Sequence, residues 1–147
     1  MLTTQAILKR IRNGEEPIDV ALAEWHAFLA DAKRRDLAAI KTHSISYRAC
    51  ALCVASIPSP VGNWHPACHT CPVGRETTAS GCHGTPYHDV ARTYLSMTGR
   101  GVVPTNDQWR NLETAIQREI DFLENVKAGS GYDWLKREND DHVRQTA

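Results

Sequence analysis

Apolar residues recur every three or four positions at both ends of the chain, and that rhythm predicts helices there. Ala6, Ile7, Leu8 and Ile11 make the apolar side of a short first helix, with Thr3 or Thr4 as cap and Gly14 as stop. After a Glu15-Glu16-Pro17 link, Leu22, Trp25, Phe28, Leu29 and Ala32 mark a second helix, capped by Asp19 and ending near Lys33-Arg34-Arg35. Asp36 to Lys41 either extends that helix or starts another. The longest stripe, Trp109, Leu112, Ile116, Ile120, Leu123 and Val126, runs from a cap at Thr105 or Asn106 to a stop at Gly129. It predicts a helix of about 22 residues, roughly 33 Å long at 1.5 Å per residue. Tyr132, Trp134 and Leu135 are expected to fold back onto the body, and the polar residues after Lys136 to fray.

The middle of the chain has a different texture. Pro58, Pro60, Gly62, Pro66, Pro72 and Gly74 break any long element between Ser44 and Pro104, so this stretch reads largely as loop. Thr85-Pro86 starts a helix from Tyr87 to about Met97, with Thr85 as N-cap, ending at Gly99 or Gly101. A loop this long needs an external constraint to hold its backbone.

The cysteines supply the candidate constraint. Cys50/Cys53 and Cys68/Cys71 form two Cys-x-x-Cys pairs, with Cys82 downstream. Fourteen residues separate Cys53 from Cys68, a spacing typical of tetrathiolate zinc sites. Each turn points two sulfurs at one ion, and two turns complete a tetrahedron. Both pairs make the simplest ligand set, leaving Cys82 free or just behind the ligands. The alternative set is Cys53, Cys68, Cys71 and Cys82, without Cys50. His65, His69 or His83 can stand in for a thiol. The rival to metal is five small buried hydrophobes. Among metals the rival to zinc is an iron–sulfur cluster, echoed by Pro72 directly after Cys71. Catalysis has thin support: the zinc-deaminase pattern of His-x-Glu before Pro-Cys-x-x-Cys is missing, and Glu76 and Asp89 are the only carboxylates in the region. No catalytic residue is assigned.

Composition narrows the class. The chain has 147 residues, the length of one domain, with 17 basic and 17 acidic side chains and a mean hydropathy of −0.43. That balance argues against binding driven by phosphate contacts, and Arg75, Arg92 and Arg100 are too sparse for a phosphate site, although a local patch near the cysteine pairs leaves a nucleic-acid partner as an alternative. Met1 to Arg12 shows no apolar leader and Ala49 to Ile57 is too short to cross a bilayer, so a cytoplasmic, reducing setting without a membrane partner is expected. An odd cysteine count in such a setting favours metal over disulfides. Trp25, Trp109 and Trp134 read as core anchors; Trp64, between the two pairs, is either an exposed contact for a partner or partly buried against the metal knuckle.

The run Cys50-Ala-Leu-Cys53, Cys68-His-Thr-Cys71-Pro-Val and Gly81-Cys82-His-Gly-Thr-Pro-Tyr87 resembles a frame in small uncharacterised bacterial and phage proteins. The Gly14 to Pro17 link and the helix bearing Glu24-Trp25 belong to the same pattern, which covers about residues 4–95. The resemblance implies a recurring metal-supported fold in a phage or prophage setting, with Cys82 as a shared ligand candidate. The expectation is a mostly α, single small domain: N-terminal helices over 1–43, a loop-rich zinc-binding segment of the four-cysteine type over 44–104, and a long helix with a polar tail over 105–147. The expected function is a zinc-stabilised, non-enzymatic interaction protein, such as a phage accessory factor binding a host protein. A nucleic-acid-binding zinc module and a metalloenzyme or iron–sulfur protein are the alternatives. Oligomeric state is left open.

Overall fold

The computed structural model describes residues 2–46, 50–56, 67–77 and 82–129. Trp64, His65, Tyr132, Trp134, Leu135 and the polar run after Lys136 lie outside them. Seven helices and no strand occur among the described residues: α1 (Thr4–Arg12), α2 (Pro17–Lys33), α3 (Leu37–Ile40), α4 (Ala51–Ala55), α5 (Pro72–Thr77), α6 (Tyr87–Thr98) and α7 (Asn106–Lys127). None is long and apolar enough to cross a membrane.

The helix boundaries follow local chemistry. The Thr3 hydroxyl caps α1 by accepting from the Ala6 N–H at 3.2 Å. Helix α2 starts at Pro17, two residues ahead of Asp19, because proline's fixed φ suits the first helical position. Asp19 sits in the first turn, where its charge meets the helix dipole. Asp36 starts a separate helix, its side chain accepting from the Ala39 N–H at 3.0 Å. Helix α7 opens with a full capping box: Thr105 Oγ1 accepts from the Gln108 N–H at 3.1 Å, and Gln108 Oε1 accepts from the Thr105 N–H at 2.9 Å. Thr85 does not cap α6. Its hydroxyl instead donates to the Cys82 carbonyl at 2.7 Å, and Pro86 precedes the helix with no side-chain cap.

Helix α7 is the spine. It packs along α2 on one side and α6 on another, and α5 also rests on it, while α4 wedges against α1 and α2. The whole expected stripe of α7 is buried, and Phe122 and Ala115 join it. From α2, Val20, Leu22, Phe28, Leu29 and Ala32 fill the core, with Val90 and Met97 from α6. An aromatic ladder ties α2 to α6: Trp25 meets Tyr87 edge-on at 6.4 Å and Phe28 meets Tyr94 at 6.1 Å. His43 stacks on Phe28 at 4.5 Å, and its carbonyl accepts the Tyr94 hydroxyl at 2.7 Å. These contacts lock the segment after the N-terminal helices onto α6.

Phe122 is fully buried, so its replacement by Ala removes both transfer energy and packing. Phe122→Ala is expected to cost about 3–5 kcal/mol, against about 1 kcal/mol for Thr105→Ala, which removes only a cap. Urea denaturation followed by circular dichroism measures both, and equal costs would contradict the assigned role of α7.

Candidate metal centre

Three segments carry the five thiols. Cys50 is the N-cap of α4 and Cys53 lies within that helix. Cys68 lies in the turn before α5, and Cys71 directly precedes Pro72, its carbonyl accepting from the Arg75 N–H at 2.9 Å. Cys82 stands in the turn leading to α6. The first two segments are stitched together where the Ala67 N–H donates to the Ser56 carbonyl at 2.9 Å, setting the end of α4 beside the second pair. Gly74 presses the second turn shut. A Cβ at that position would lie 1.8 Å from the Cys68 carbonyl oxygen, so only glycine lets α5 approach so closely.

The Cys82 backbone has φ +57°, a left-handed conformation that costs a non-glycine residue roughly 1–2 kcal/mol. It is held by Thr85, whose N–H and hydroxyl both donate to the Cys82 carbonyl, at 3.2 and 2.7 Å. Thr85 itself is buried. The strained turn brings Cys82 to the other thiols.

All five cysteines line one cavity of about 430 Å³. Trp25, Tyr87, Leu52, Val73 and Leu123 supply apolar walls, and Glu119 of α7 contributes a carboxyl group. The cysteines are all free thiols, and Cys71 is the most buried. They stand around the cavity rather than against one point: among the described residues, no three His, Cys, Asp or Glu side chains form a group close enough to hold an ion. Closing on a metal therefore requires the thiols to draw closer together than they stand here. His69 and His83 are exposed and neither lines the cavity; His83 stacks on His88 at 5.2 Å.

The electrostatics are those of crowded, mutually opposed acids. The Cys53 thiol donates to Cys50, which lowers the Cys50 pKa to about 7, helped by the Cys53 and Leu52 backbone N–H groups. The same hydrogen bond, with burial, pushes Cys53 upward. Burial and then the Cys50 charge raise Cys82 to about 12. Burial raises Cys71 too, opposed by N–H bonds from Gly74 and Val73. One sulfur can ionise here, and its charge then opposes ionisation of the rest. A divalent cation would reverse that balance, since metal-bound thiols are deprotonated.

Two buried carboxyl groups flank this cluster, and neither is among the candidates drawn from the sequence. Glu119 is 5% exposed, with Oε2 buried and unpartnered. Its group accepts a backbone hydrogen bond from Tyr87, yet burial holds its pKa well above the usual range. Glu24 of α2 has both oxygens buried without partners, and burial raises it to about 7, with Cys50 the next cause. The sequence does carry a signal for Glu119. Leu112, Ile116, Glu119, Leu123 and Val126 are spaced four, three, four and three residues apart, so a charged residue occupies the middle of the apolar stripe.

The carboxylates weighed for acid–base work sit elsewhere. Asp89 is 3.7 Å from Arg92 and 3.6 Å from Arg118, as an ion-paired helix-start residue, and Glu76 does not line the cavity. No protein-family model matches the chain, and no curated protein or solved structure matches it.

Gly74→Ala is expected to drive α5 off the Cys68 backbone and open the second cysteine turn. Native-state labelling with a thiol-reactive probe should then show Cys71 reacting at least tenfold faster than in wild type. An unchanged rate would show that the close approach at Gly74 does not set the position of these thiols.

Proposed function

We propose that the protein is a zinc-stabilised, non-enzymatic interaction protein in which the cysteine segments clamp a structural metal ion. The observation that carries this reading is the gathering of all five thiols around a single cavity. The donor set suits zinc, which accepts cysteine thiolates in a closed tetrahedron. Structural zinc contributes on the order of 10–16 kcal/mol in small peptide sites, comparable with the roughly 5–15 kcal/mol net stability of a whole domain. Such a contribution is what a segment built from a 5-residue and a 6-residue helix needs, because isolated helices of that length do not persist in water.

The metal's role here is to shape the surface around α4, α5 and the start of α6 for a partner. The equal count of acidic and basic residues favours a protein partner over a nucleic acid. Arg92 is paired with Asp89, which further weakens the case for a phosphate-binding patch. The resemblance to small bacterial and phage proteins implies a phage or prophage setting, and within it we read the protein as an accessory factor acting on a host protein in the reducing cytoplasm.

A second reading, an iron–sulfur cluster, is favoured by one specific observation: the cavity of about 430 Å³ is larger than one ion requires. The N–H bonds to the sulfurs of Cys50 and Cys71 would also suit a cluster.

Element analysis of protein purified anaerobically, with an absorption spectrum, separates the two. Zinc near one per chain in a colourless sample is expected; iron with a brown absorbance would select the cluster. A chain free of both metals whose helical signal is unmoved by strong chelator would overturn both readings. Removing zinc should lower the melting temperature by more than about 10 °C, since a loss of several kcal/mol shifts a domain of this size by a few degrees per kcal/mol.

A further inference from the structure

Glu119 lies in the interior of α7, where a carboxylate is costly unless something repays its desolvation. It is 5% exposed and faces the cavity lined by the five thiols. One part of the group is anchored: the backbone N–H of Tyr87 donates to it. The other oxygen, Oε2, has no hydrogen-bond partner. Among the described residues, no lysine, arginine or histidine lines the same cavity. The other described residues lining it are the cysteines, aliphatic and aromatic side chains, Gly74 and Ser46. A buried carboxyl group that lines a pocket of soft donors and keeps one oxygen without a hydrogen-bond partner is placed to serve as a metal ligand.

We propose that Glu119 is an oxygen ligand of the metal ion, making the centre a mixed thiolate–carboxylate zinc site. The inference rests on the metal reading above and deepens it. Zinc takes carboxylate oxygen beside cysteine sulfur, whereas iron–sulfur clusters are held by thiolates. The choice of ligand therefore bears on the choice of metal. It also changes what the metal holds together. Thiols alone connect α4, α5 and the turn before α6; with Glu119 the ion is bonded to the spine of the fold as well. Metal occupancy is then coupled to the α2–α6–α7 core and not only to the cysteine-bearing segments.

Glu24 provides the control. It is a buried, unpartnered carboxyl group close enough to Cys50 to interact with its charge, but it lines a smaller neighbouring cavity of about 40 Å³ and not the thiol cavity. If negative charge near the cysteines were all that mattered, the two residues would behave alike.

The test is anaerobic titration of the metal-free full chain with Co²⁺, comparing wild type with Glu119→Gln and Glu24→Gln. Glu119→Gln is expected to weaken Co²⁺ binding roughly tenfold or more and to alter the visible ligand-field bands, while Glu24→Gln keeps the wild-type spectrum and affinity to within about threefold. Equal affinity and spectrum for wild type and Glu119→Gln would overturn the proposal while leaving a thiolate centre standing. Equal losses in both variants would overturn it too, as a general charge effect. Failure of the wild type to bind any metal would remove the proposal together with the functional reading. Should Glu119→Gln not fold, the wild type decides alone: the ¹¹³Cd resonance of the cadmium-loaded chain should fall in the range for mixed sulfur and oxygen ligation, and an all-sulfur shift would refute the assignment.

Discussion

The structure turns on thiols drawn from three short segments to one cavity against the side of a long helix. Each segment is too short to hold itself. Helix α4 has five residues and α5 six, and Cys82 sits in a turn with a left-handed backbone. Their positions depend on a few contacts of high specificity: the Ala67–Ser56 backbone bond, the close approach at Gly74, and the double grip of Thr85 on the Cys82 carbonyl. A strained, tightly positioned set of thiols around an apolar-walled cavity is costly to build. Bound metal would supply a physical reason for that cost.

The helical body explains why the thiols arrive where they do. Helix α7 offers a continuous apolar stripe to α2 and α6, and the aromatic ladder of Trp25, Phe28, Tyr87 and Tyr94 fixes the spacing of those two helices. Trp25 and Tyr87 have two roles, joining the helices and walling the cavity. The site is thus framed by long, packed helices on one side and by short cysteine turns on the other. The long helices carry Glu119. The short turns carry the sulfurs.

Much of this is legible in the residue pattern because the long helices are governed by local rules. The stripe of α7, its Thr105 cap and its end before Gly129 follow from periodicity and capping alone, and so do the Thr3 cap and the extent of α1. The start of α2 departs from expectation because Asp19 looks like a cap, while Pro17 is already able to open the helix. Thr85 departs for a similar reason: a threonine before proline resembles an N-cap, yet its hydroxyl is taken by the Cys82 carbonyl. Helices α4 and α5 are hidden in a Pro- and Gly-rich stretch, since their stability comes from tertiary packing rather than propensity. The cysteine spacing points to a common destination for the thiols, and they do share one cavity. Glu119 is hard to see because a glutamate within a strong helix pattern reads as solvated surface, and only its register within the stripe shows that it faces inward.

The central claim is that one metal centre takes its donors from all of these segments at once. X-ray absorption spectroscopy at the metal edge of the anaerobically purified full chain tests it most directly. The account predicts a first shell dominated by sulfur at about 2.3 Å, with a minor oxygen contribution near about 2.0–2.2 Å. A shell of light atoms alone, as for an ion bound adventitiously at the surface, would contradict it.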